Sequence, residues 1–390
     1  RLGQRTPLQY ARKPNIDFLA ANGELGMVRT IPEGMSPGSD TANLSVMGYD
    51  PRKYYTGRSP LEAVSMGVKL SDADLSFRCN LVTLDTDGDY ESAVMADYSS
   101  DEIPTSESAV LIDELNRQLS SDRISFHAGI SYRHCMVWHG GSGTRSLTPP
   151  HDILEKRIKQ YLPSGDDSEM FISLMKSSYR ILADHPVNMS RISRGLRPAN
   201  SIWLWGEGKK PSLPSFAEKY GLSGSVIAAV DLIKGIGICA GLDTVDVEGV
   251  TGNINTNFRG KAEAALDELR KGKDFVYIHI EAPDECGHRF EVENKVRSIE
   301  LIDELVVGTL LEGLADFDDF SLMVLPDHPT PLSLRTHTAD PVPYVIYRKR
   351  SAKPSGAAGY DEFEAHKTGI FIGQGHELMD RFLLNDRFQK

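Results

Sequence analysis

The sequence is poor in several features that would assign it to a specialised class of protein. Its 390 residues include four cysteines, none in a CxxC pair. This scarcity argues against a structural zinc knuckle or a disulfide scaffold and favours reduced thiols in a cytoplasmic protein. No apolar run approaches the roughly 18 residues of a membrane span, so we expect no membrane insertion. A P-loop and a kinase glycine-rich loop are both absent, which argues mildly against ATP as phosphate donor.

Positive charge is also scarce. The formal net charge is −12, which argues against a general nucleic-acid binder and leads us to expect no nucleic-acid partner. Local arginine and lysine side chains can still line a pocket, so an anionic small substrate stays possible. The length permits two lobes and a sizeable core. Nothing in the sequence determines the oligomeric state.

Apolar segments and helical segments alternate along the second half of the chain. This alternation begins after Gly206 and is typical of a parallel sheet covered by helices on both faces. We therefore predict an α/β core formed by residues 1–72 and 206–390, with a mostly parallel sheet. Residues 73–205 contain a predicted hairpin and further helices, and they predict an inserted α+β lobe that handles the substrate.

The apolar run Leu322–Leu325 ends in the sequence Pro-Asp-His, at Asp327 and His328. This pattern indicates a buried strand that delivers two metal-ligand side chains at its tip. Because side chains alternate between the two faces of a strand, adjacent ligands most easily serve two different ions. The pattern therefore predicts a two-metal site.

A second segment has the same arrangement. The predicted strand Phe275–Ile280 is followed by Asp284 and His288, four residues apart. That spacing lets both side chains reach one ion if the loop turns into a helix. We assign Asp284, His288 and His337 to one ion, and Asp327 and His328 to the other. Carboxylate and imidazole ligands without thiolates suit Mn²⁺, Zn²⁺ or Mg²⁺, and two such ions stabilise the attacking and leaving oxygens of a phosphoryl transfer.

The second ion needs more ligands, and Ser39 is a candidate. It follows Gly38 at a predicted helix start, where backbone N–H groups and the helix dipole favour a phosphate. A metal-bound serine oxygen has a lowered pKa and becomes a nucleophile. The alternative is that Ser39 only caps the helix.

Several of these segments resemble cofactor-independent phosphoglycerate mutases of the archaeal type, in the alkaline phosphatase superfamily. The resembling segments are Gly38–Asp50, Tyr54–Pro60, Glu281–Asp284 with Gly287-His288, and Asp327–Pro331. The resemblance runs over nearly the whole chain. It implies an alkaline-phosphatase-like core and the interconversion of 3-phosphoglycerate and 2-phosphoglycerate through a phosphoserine at Ser39.

The resemblance also implies a ligand set. One ion would be held by Asp284, His288 and His337. The other would be held by Asp327, His328 and Ser39, together with an aspartate that follows a strand near the amino terminus of the family. We expect two divalent ions, Mn²⁺ first and Zn²⁺, Mg²⁺ or Co²⁺ as alternatives, and no need for 2,3-bisphosphoglycerate. The sequence does not contain this strand with its Asp-Gly before Leu2-Gly3. We expect that about 15–20 native residues lie ahead of Arg1; the alternative is that the second site is incomplete.

Anionic groups of a small phosphorylated substrate need arginine or lysine donors. The family-like segments supply four such residues: Arg58, Arg133, Arg197 and Lys234. His151 and Asp152 resemble a family loop that could move protons on the glycerate hydroxyls. For each of these residues a solvated surface charge or a capped turn is the competing interpretation.

Two other functions stay open. A bacterial branch of the same family, with a tail like Gly375–Asp380, is linked to homoserine kinase activity. That branch would keep the phosphoserine chemistry and change the acceptor. The chain could also be a non-catalytic metal-binding relative.

Overall fold

The computed structural model describes residues 2–351 and 354–384. Contacts divide the chain into two compact units: a core unit, Arg1–Tyr55 with Leu213–Lys390, and an inserted unit, Thr56–Ser212. The domain boundaries derived from the sequence, at residues 72/73 and 205/206, stay a prediction. No helix in the described part of the chain is both long and apolar enough to cross a membrane.

The strands of the described residues are as follows: β1 (Glu24–Val28), β2 (Leu75–Asp85), β3 (Val94–Asp97), β4 (Ile124–His127), β5 (Arg133–Trp138), β6 (Arg145–Ser146), β7 (Ser164–Gly165), β8 (Ser201–Lys209), β9 (Gly224–Ile227), β10 (Asp243–Thr244), β11 (Phe275–Ile278), β12 (Ser321–Val324), β13 (Val342–Arg348) and β14 (Phe371–Ile372).

The α-helices of the same residues are as follows: α1 (Pro7–Tyr10), α2 (Pro14–Asn22), α3 (Ser39–Val46), α4 (Pro51–Tyr54), α5 (Ser59–Ser65), α6 (Thr105–Leu119), α7 (Ser168–Leu182), α8 (Pro186–Ser193), α9 (Phe216–Tyr220), α10 (Asp231–Cys239), α11 (Phe258–Arg270), α12 (Ala282–His288), α13 (Val292–Leu301), α14 (Gly308–Leu314), α15 (Glu362–Lys367) and α16 (Glu377–Leu384). Short 3₁₀ turns cover Tyr90–Ser92, Pro150–Ile153 and Ile158–Tyr161, and a π-helical turn, Ile302–Val307, joins α13 to α14.

The core unit contains two sheets. One is a three-stranded parallel sheet in the order β10-β9-β11, and the other is four-stranded in the order β12-β13-β1-β14. In the second sheet β13 runs antiparallel to both β12 and β1, and β1 pairs with β14 in parallel. The first sheet is parallel, as predicted, whereas the second is mixed, so the predicted mostly parallel sheet is found only in the first.

The antiparallel pairing of β12 and β13 has a simple cause. A parallel pair needs a crossover, usually a helix, between its strands. The segment between Val324 and Val342 forms turns and no helix, so the chain returns beside the strand it has just left. The same segment carries Asp327, His328 and His337.

Helices cover the core sheets by burying aliphatic side chains. Leu19 of α2 packs in one cluster with Leu25 of β1 and Val345 of β13, and all three are fully buried. Phe258 of α11 belongs to a second cluster, on the parallel sheet. Burying such side chains contributes about 1.5–3 kcal/mol each, which fixes the strands whose ends carry the candidate ligands.

The inserted unit is built on an antiparallel sheet. The long strand β2 pairs with β3, β5 and β8, and β5 pairs in turn with β4. The hairpin predicted over residues 123–138 is confirmed as β4 and β5. Phe77 of β2 and Phe171 of α7 meet in the core, with ring centroids 4.9 Å apart.

Candidate metal centre

The first ligand group consists of Asp284, His288 and His337. Its atoms lie close together: His337 Nε2 is 3.2 Å from Asp284 Oδ1, and His288 Nε2 is 3.3 Å from Asp284 Oδ2. One ligand atom from each of the three residues lies within 4.8 Å of the others. This is a group that can hold a metal ion.

Local sequence explains how Asp284 and His288 reach the same point. Pro283 favours the first turn of α12, and one turn of helix then places residues 284 and 288 on one face. Gly287 lets the helix lie against the loop after His328, because a β-carbon there would be 2.7 Å from the Thr330 carbonyl oxygen. Asp284 and His288 therefore lie on one face of a helix, as their spacing in the sequence predicted.

The surroundings of the first group favour the ionised form of the Asp284 carboxyl group beside the imidazoles. Burial raises the pKa of Asp284, but hydrogen bonds with His337 and Thr330 outweigh it, so the pKa is lowered overall. The pKa of His337 is raised: burial opposes this, and the contacts with Asp284 overcome it. His288 Nδ1 lies 2.9 Å from the Arg335 carbonyl oxygen, where an Nδ1–H would donate. That tautomer leaves the Nε2 lone pair free for a metal ion.

The second ligand group consists of Ser39, Asp327 and His328. Ser39 is the first residue of α3, and its Oγ lies 3.0 Å from His328 Nε2. His328 Nε2 is in turn 3.5 Å from Asp327 Oδ2. The Asp327 backbone carbonyl accepts a hydrogen bond of 2.5 Å from Thr30 Oγ1, which holds the end of β12 in place.

Electrostatics keep Asp327 ionised and His328 neutral. The pKa of Asp327 is lowered well below its usual range: burial works against this, and hydrogen bonding and charge interactions with His279, His328 and Asn43 prevail. The pKa of His328 is lowered by burial, with Asp327 opposing. The His328 side chain is only 1% exposed. A buried carboxylate beside a neutral imidazole and a hydroxyl is a donor set that a divalent cation fits.

The two groups lie side by side. The rings of His328 and His337 have centroids 4.0 Å apart. The expectation that adjacent Asp327 and His328 point to opposite faces is not followed, because both residues lie beyond the last strand residue, Val324. Strand alternation no longer applies there, and both side chains turn toward Ser39.

Three polar residues near the second group were missed from the sequence. Asn43 Nδ2 donates to Asp327 Oδ2 at 2.8 Å, and Tyr277 donates to Asn43 Oδ1 at 2.6 Å. His279 Nε2 is 3.8 Å from Asp327 Oδ2. A signal for His279 existed, since it follows a strand end as Asp327 does. Asn43 also lies one helical turn after Ser39.

A cavity of about 1080 Å³ in the core unit adjoins these groups. It is lined by every residue from Phe275 to Ile280 and from Ser321 to His328. Because side chains alternate along a strand, contact with every residue means that the cavity runs along the strand edges, where backbone groups point. β11 and β12 are the outermost strands of their sheets on this side.

The inserted unit gathers some of the predicted substrate residues. Arg58 Nε and Arg78 Nε both pair with Glu62, at 2.7 and 2.9 Å. Burial lowers the pKa of Arg78, and the neighbouring positive charges of Arg58 and Arg133 lower it further, while Glu62 opposes. Two guanidinium groups therefore share the Glu62 carboxylate, and that of Arg133 is near enough to act on Arg78. Arg78, which the sequence reading missed, lies in the middle of β2.

His151 belongs to the same face of the inserted unit. Its ring contacts Trp205, with centroids 5.4 Å apart, and the Arg78 guanidinium lies 4.2 Å above the Trp205 ring. Asp152 is mostly exposed, with Oδ1 3.7 Å from His151 Nε2. These contacts place His151 near the arginine cluster through Trp205.

The two remaining predicted residues are held by carboxylates. Arg197 pairs with Asp97 and Asp101, and it also donates to the Ala96 carbonyl. Lys234, in the core unit, pairs with Asp246 at 2.7 Å. Their roles in substrate binding stay predictions, and these ion pairs give each a structural partner.

Comparison of the sequence with known proteins assigns the chain to a family. Residues 20–188 match the family model described as 2,3-bisphosphoglycerate-independent phosphoglycerate mutase. A relative from Geobacter sulfurreducens, called a probable enzyme of that name, is 50% identical over 98% of this chain and 95% of its own length. The Methanosarcina acetivorans enzyme is 49% identical over 94% of this chain and 91% of its own. The chain belongs to this family.

Solved structures agree with the assignment. A Pyrococcus horikoshii protein has a TM-score of 0.83 at 30% identity, over 100% of this chain and 94% of its own. The cofactor-independent phosphoglycerate mutase of Thermoplasma acidophilum has a TM-score of 0.67 at 28% identity, over 98% and 93%. The resemblance drawn from the sequence motifs is confirmed.

Proposed function

We propose that this protein interconverts 3-phosphoglycerate and 2-phosphoglycerate, a step of glycolysis and gluconeogenesis, with Ser39 carrying the phosphoryl group. The observation that carries the proposal is the position of Ser39 Oγ, 3.0 Å from His328 Nε2 and in one cluster with the first ligand group. The relatives described above carry the mutase name, which favours this activity over homoserine phosphorylation.

The residues fit two divalent ions. Asp284, His288 and His337 would hold one, and Asp327, His328 and Ser39 would contribute to the other. When bound, such ions offset the charge of the phosphoryl oxygens and lower the pKa of the serine hydroxyl. The donors are oxygen and imidazole nitrogen, which supports Mn²⁺ and leaves Zn²⁺, Mg²⁺ and Co²⁺ as alternatives.

Ser39 performs two phosphoryl transfers. Its Oγ loses its proton and attacks the phosphorus of 3-phosphoglycerate, the bond from phosphorus to the 3-oxygen breaks, and the released 3-oxygen takes up a proton. The glycerate then reorients, and its 2-hydroxyl loses a proton and attacks the phosphorus of the phosphoserine. The bond from phosphorus to Oγ breaks, and Oγ takes up a proton. His151 and Asp152 are the proposed groups for moving the glycerate protons.

The inserted unit would supply the groups that bind the substrate anions. Arg58 and Arg78 both pair with Glu62, and the charge of Arg133 acts on Arg78. Neighbouring guanidinium groups suit a phosphate or carboxylate bound in a bidentate manner. Arg197 and Lys234 are further candidates for binding the substrate anions. We also propose that the enzyme is cytoplasmic, because its proposed substrates are glycolytic intermediates.

The family resemblance implies that the second group takes a further carboxylate, from an aspartate that follows a strand. We propose that the core unit, with its parallel and mixed sheets covered by helices, is the alkaline-phosphatase-like core.

An enolase-coupled assay tests the function. We expect activity with 3-phosphoglycerate and Mn²⁺ in the absence of 2,3-bisphosphoglycerate, and a loss of about 10⁴-fold or more in Ser39→Ala. Ser45→Ala, in the same helix, is the matched control. Formation of phosphohomoserine from homoserine and ATP, without mutase activity, would assign the kinase function instead. Inactivity in both assays would favour the non-catalytic alternative.

A further inference from the structure

We propose that Asn43 is a positioning residue that fixes the Asp327 carboxylate relative to Ser39, an inference that rests on the proposed function. Asn43 is fully buried. Its Nδ2 donates two hydrogen bonds of 2.8 Å, one to the Ser39 carbonyl oxygen and one to Asp327 Oδ2. Its Oδ1 accepts a hydrogen bond of 2.6 Å from the Tyr277 hydroxyl.

These partners determine the orientation of the amide. The Ser39 carbonyl and the Asp327 carboxylate are both acceptors, so only the NH₂ group can satisfy them. If the amide were flipped, Oδ1 would face two acceptors and the Asp327 carboxylate would lose its donor, which is unfavourable in a partly buried site. The Tyr277 hydroxyl remains protonated, because burial and the charge of Asp327 raise its pKa. It therefore supplies the donor that Oδ1 needs.

The contacts form a closed circuit around the nucleophile. Asn43 links the backbone of Ser39 to Asp327. The next residue, His328, returns to Ser39 through its side chain, with Nε2 3.0 Å from Oγ. The start of α3 and the tip of β12 are thus joined on two sides of the same serine. A circuit of this kind limits the distance between the nucleophile oxygen and the carboxylate that would share its ion.

The competing interpretation is that Asn43 is only a satisfied polar residue in a packed helix. The two interpretations differ in what a substitution changes. A packing residue affects the folded state as a whole. A positioning residue affects the affinity of the second ligand group for metal and the rate of phosphoryl transfer, and it leaves the first ligand group as it was.

The test uses Asn43→Ala and Asn43→Asp in the full chain, with Ser45→Ala as control. Ser45 is also fully buried in α3, and its Oγ has no hydrogen-bond partner among the described residues, so its removal should leave the Mn²⁺ affinities and the kinetic constants unchanged. Mn²⁺ alone is titrated into the protein, and the free ion is measured by electron paramagnetic resonance. The coupled assay gives kcat and KM. Thermal unfolding is followed without metal.

We assign the weaker Mn²⁺ site to the second ligand group and the tighter site to the first. For Asn43→Ala we expect the weaker site to lose about 10–100-fold in affinity and kcat to fall by a similar factor, with the tighter site and KM within about twofold. Asn43→Asp should lose more, because it places a carboxylate against Asp327. For Tyr277→Phe we expect the Mn²⁺ affinity of the weaker site and kcat to fall by only about 2–10-fold.

Unchanged Mn²⁺ affinity in Asn43→Ala would overturn the proposal. So would an equal weakening of both sites together with a lower unfolding temperature, since that is the signature of a packing role. If the wild type lacks mutase activity, the proposed function fails, and the Mn²⁺ titration still decides the role of Asn43.

Discussion

The two ligand groups are built in opposite ways. The first has three donors contributed by a helix and a loop, and each side chain is 20–34% exposed. In the second group only the His328 side chain is buried, at 1% exposed, whereas Asp327 is 20% exposed. The Asp327 carboxylate is surrounded by Asn43, His279 and His328. The first group is complete as a three-ligand site, whereas the second depends on neighbours that fix its geometry and on a further ligand. We infer that the first group binds its ion more tightly and that the second tunes the nucleophile.

The largest expected effects come from removing one carboxylate from each group. Asp284→Asn should abolish the tighter Mn²⁺ site, and Asp327→Asn should abolish only the weaker one. Either change should reduce kcat by about 10³-fold, since each ion offsets several kcal/mol of transition-state charge. Mn²⁺ titration and the coupled assay measure both effects. If Asp327→Asn loses both ions while Asp284→Asn loses neither, the comparison is reversed.

A second prediction concerns the arginine cluster of the inserted unit. Arg78→Met should raise KM for 3-phosphoglycerate by about 10–100-fold, because a charged hydrogen bond contributes roughly 1.5–3 kcal/mol. Arg78→Lys should recover only part of this, since lysine cannot bind in a bidentate manner. Arg117→Ala, which removes an exposed ion pair with Glu114, is the control. An unchanged KM in Arg78→Met would remove Arg78 from the substrate site.

Lys261 gives a prediction about pH. Burial lowers the pKa of Lys261 to about 8, while its ammonium donates to the His279 carbonyl at 2.8 Å. The unfolded chain then binds more protons than the folded one between pH 8 and about 10.5, so stability should rise with pH there, by about 3 kcal/mol. Urea unfolding across this range measures it. Lys261→Met should remove the rise, and an identical pH dependence in the variant would contradict the assignment.

The smallest effect is expected at Thr330, whose hydroxyl donates to Asp284. Thr330→Val should reduce kcat by about 2–10-fold through the loss of one hydrogen bond. Thr330→Ser keeps the hydroxyl and should restore most of the activity. The coupled assay distinguishes the two variants. A loss in Thr330→Ser equal to that in Thr330→Val would mean that the methyl group, rather than the hydroxyl, is what matters.

Some parts of the site could be predicted from the sequence and others could not. Asp284 and His288 are four residues apart in a helix, and Asp327 and His328 end an apolar strand, so local patterns were sufficient. Asn43 and Arg78 carry no such pattern, because each also depends on a partner far away in the chain: Asp327 for Asn43 and Trp205 for Arg78. The mixed core sheet was missed for a related reason. The segment between β12 and β13 forms turns and no helix, so the general alternation of strands and helices does not hold there.

The most direct test of the central claim is to trap the phosphorylated protein. The wild-type chain is mixed with 3-phosphoglycerate and Mn²⁺, quenched in acid within milliseconds, and its peptides are sequenced by mass spectrometry. We predict a phosphoryl group on Ser39 that forms and decays at rates consistent with turnover, and none in Ser39→Ala. Turnover with the phosphoryl group on another residue, or turnover that survives in Ser39→Ala, would contradict the account.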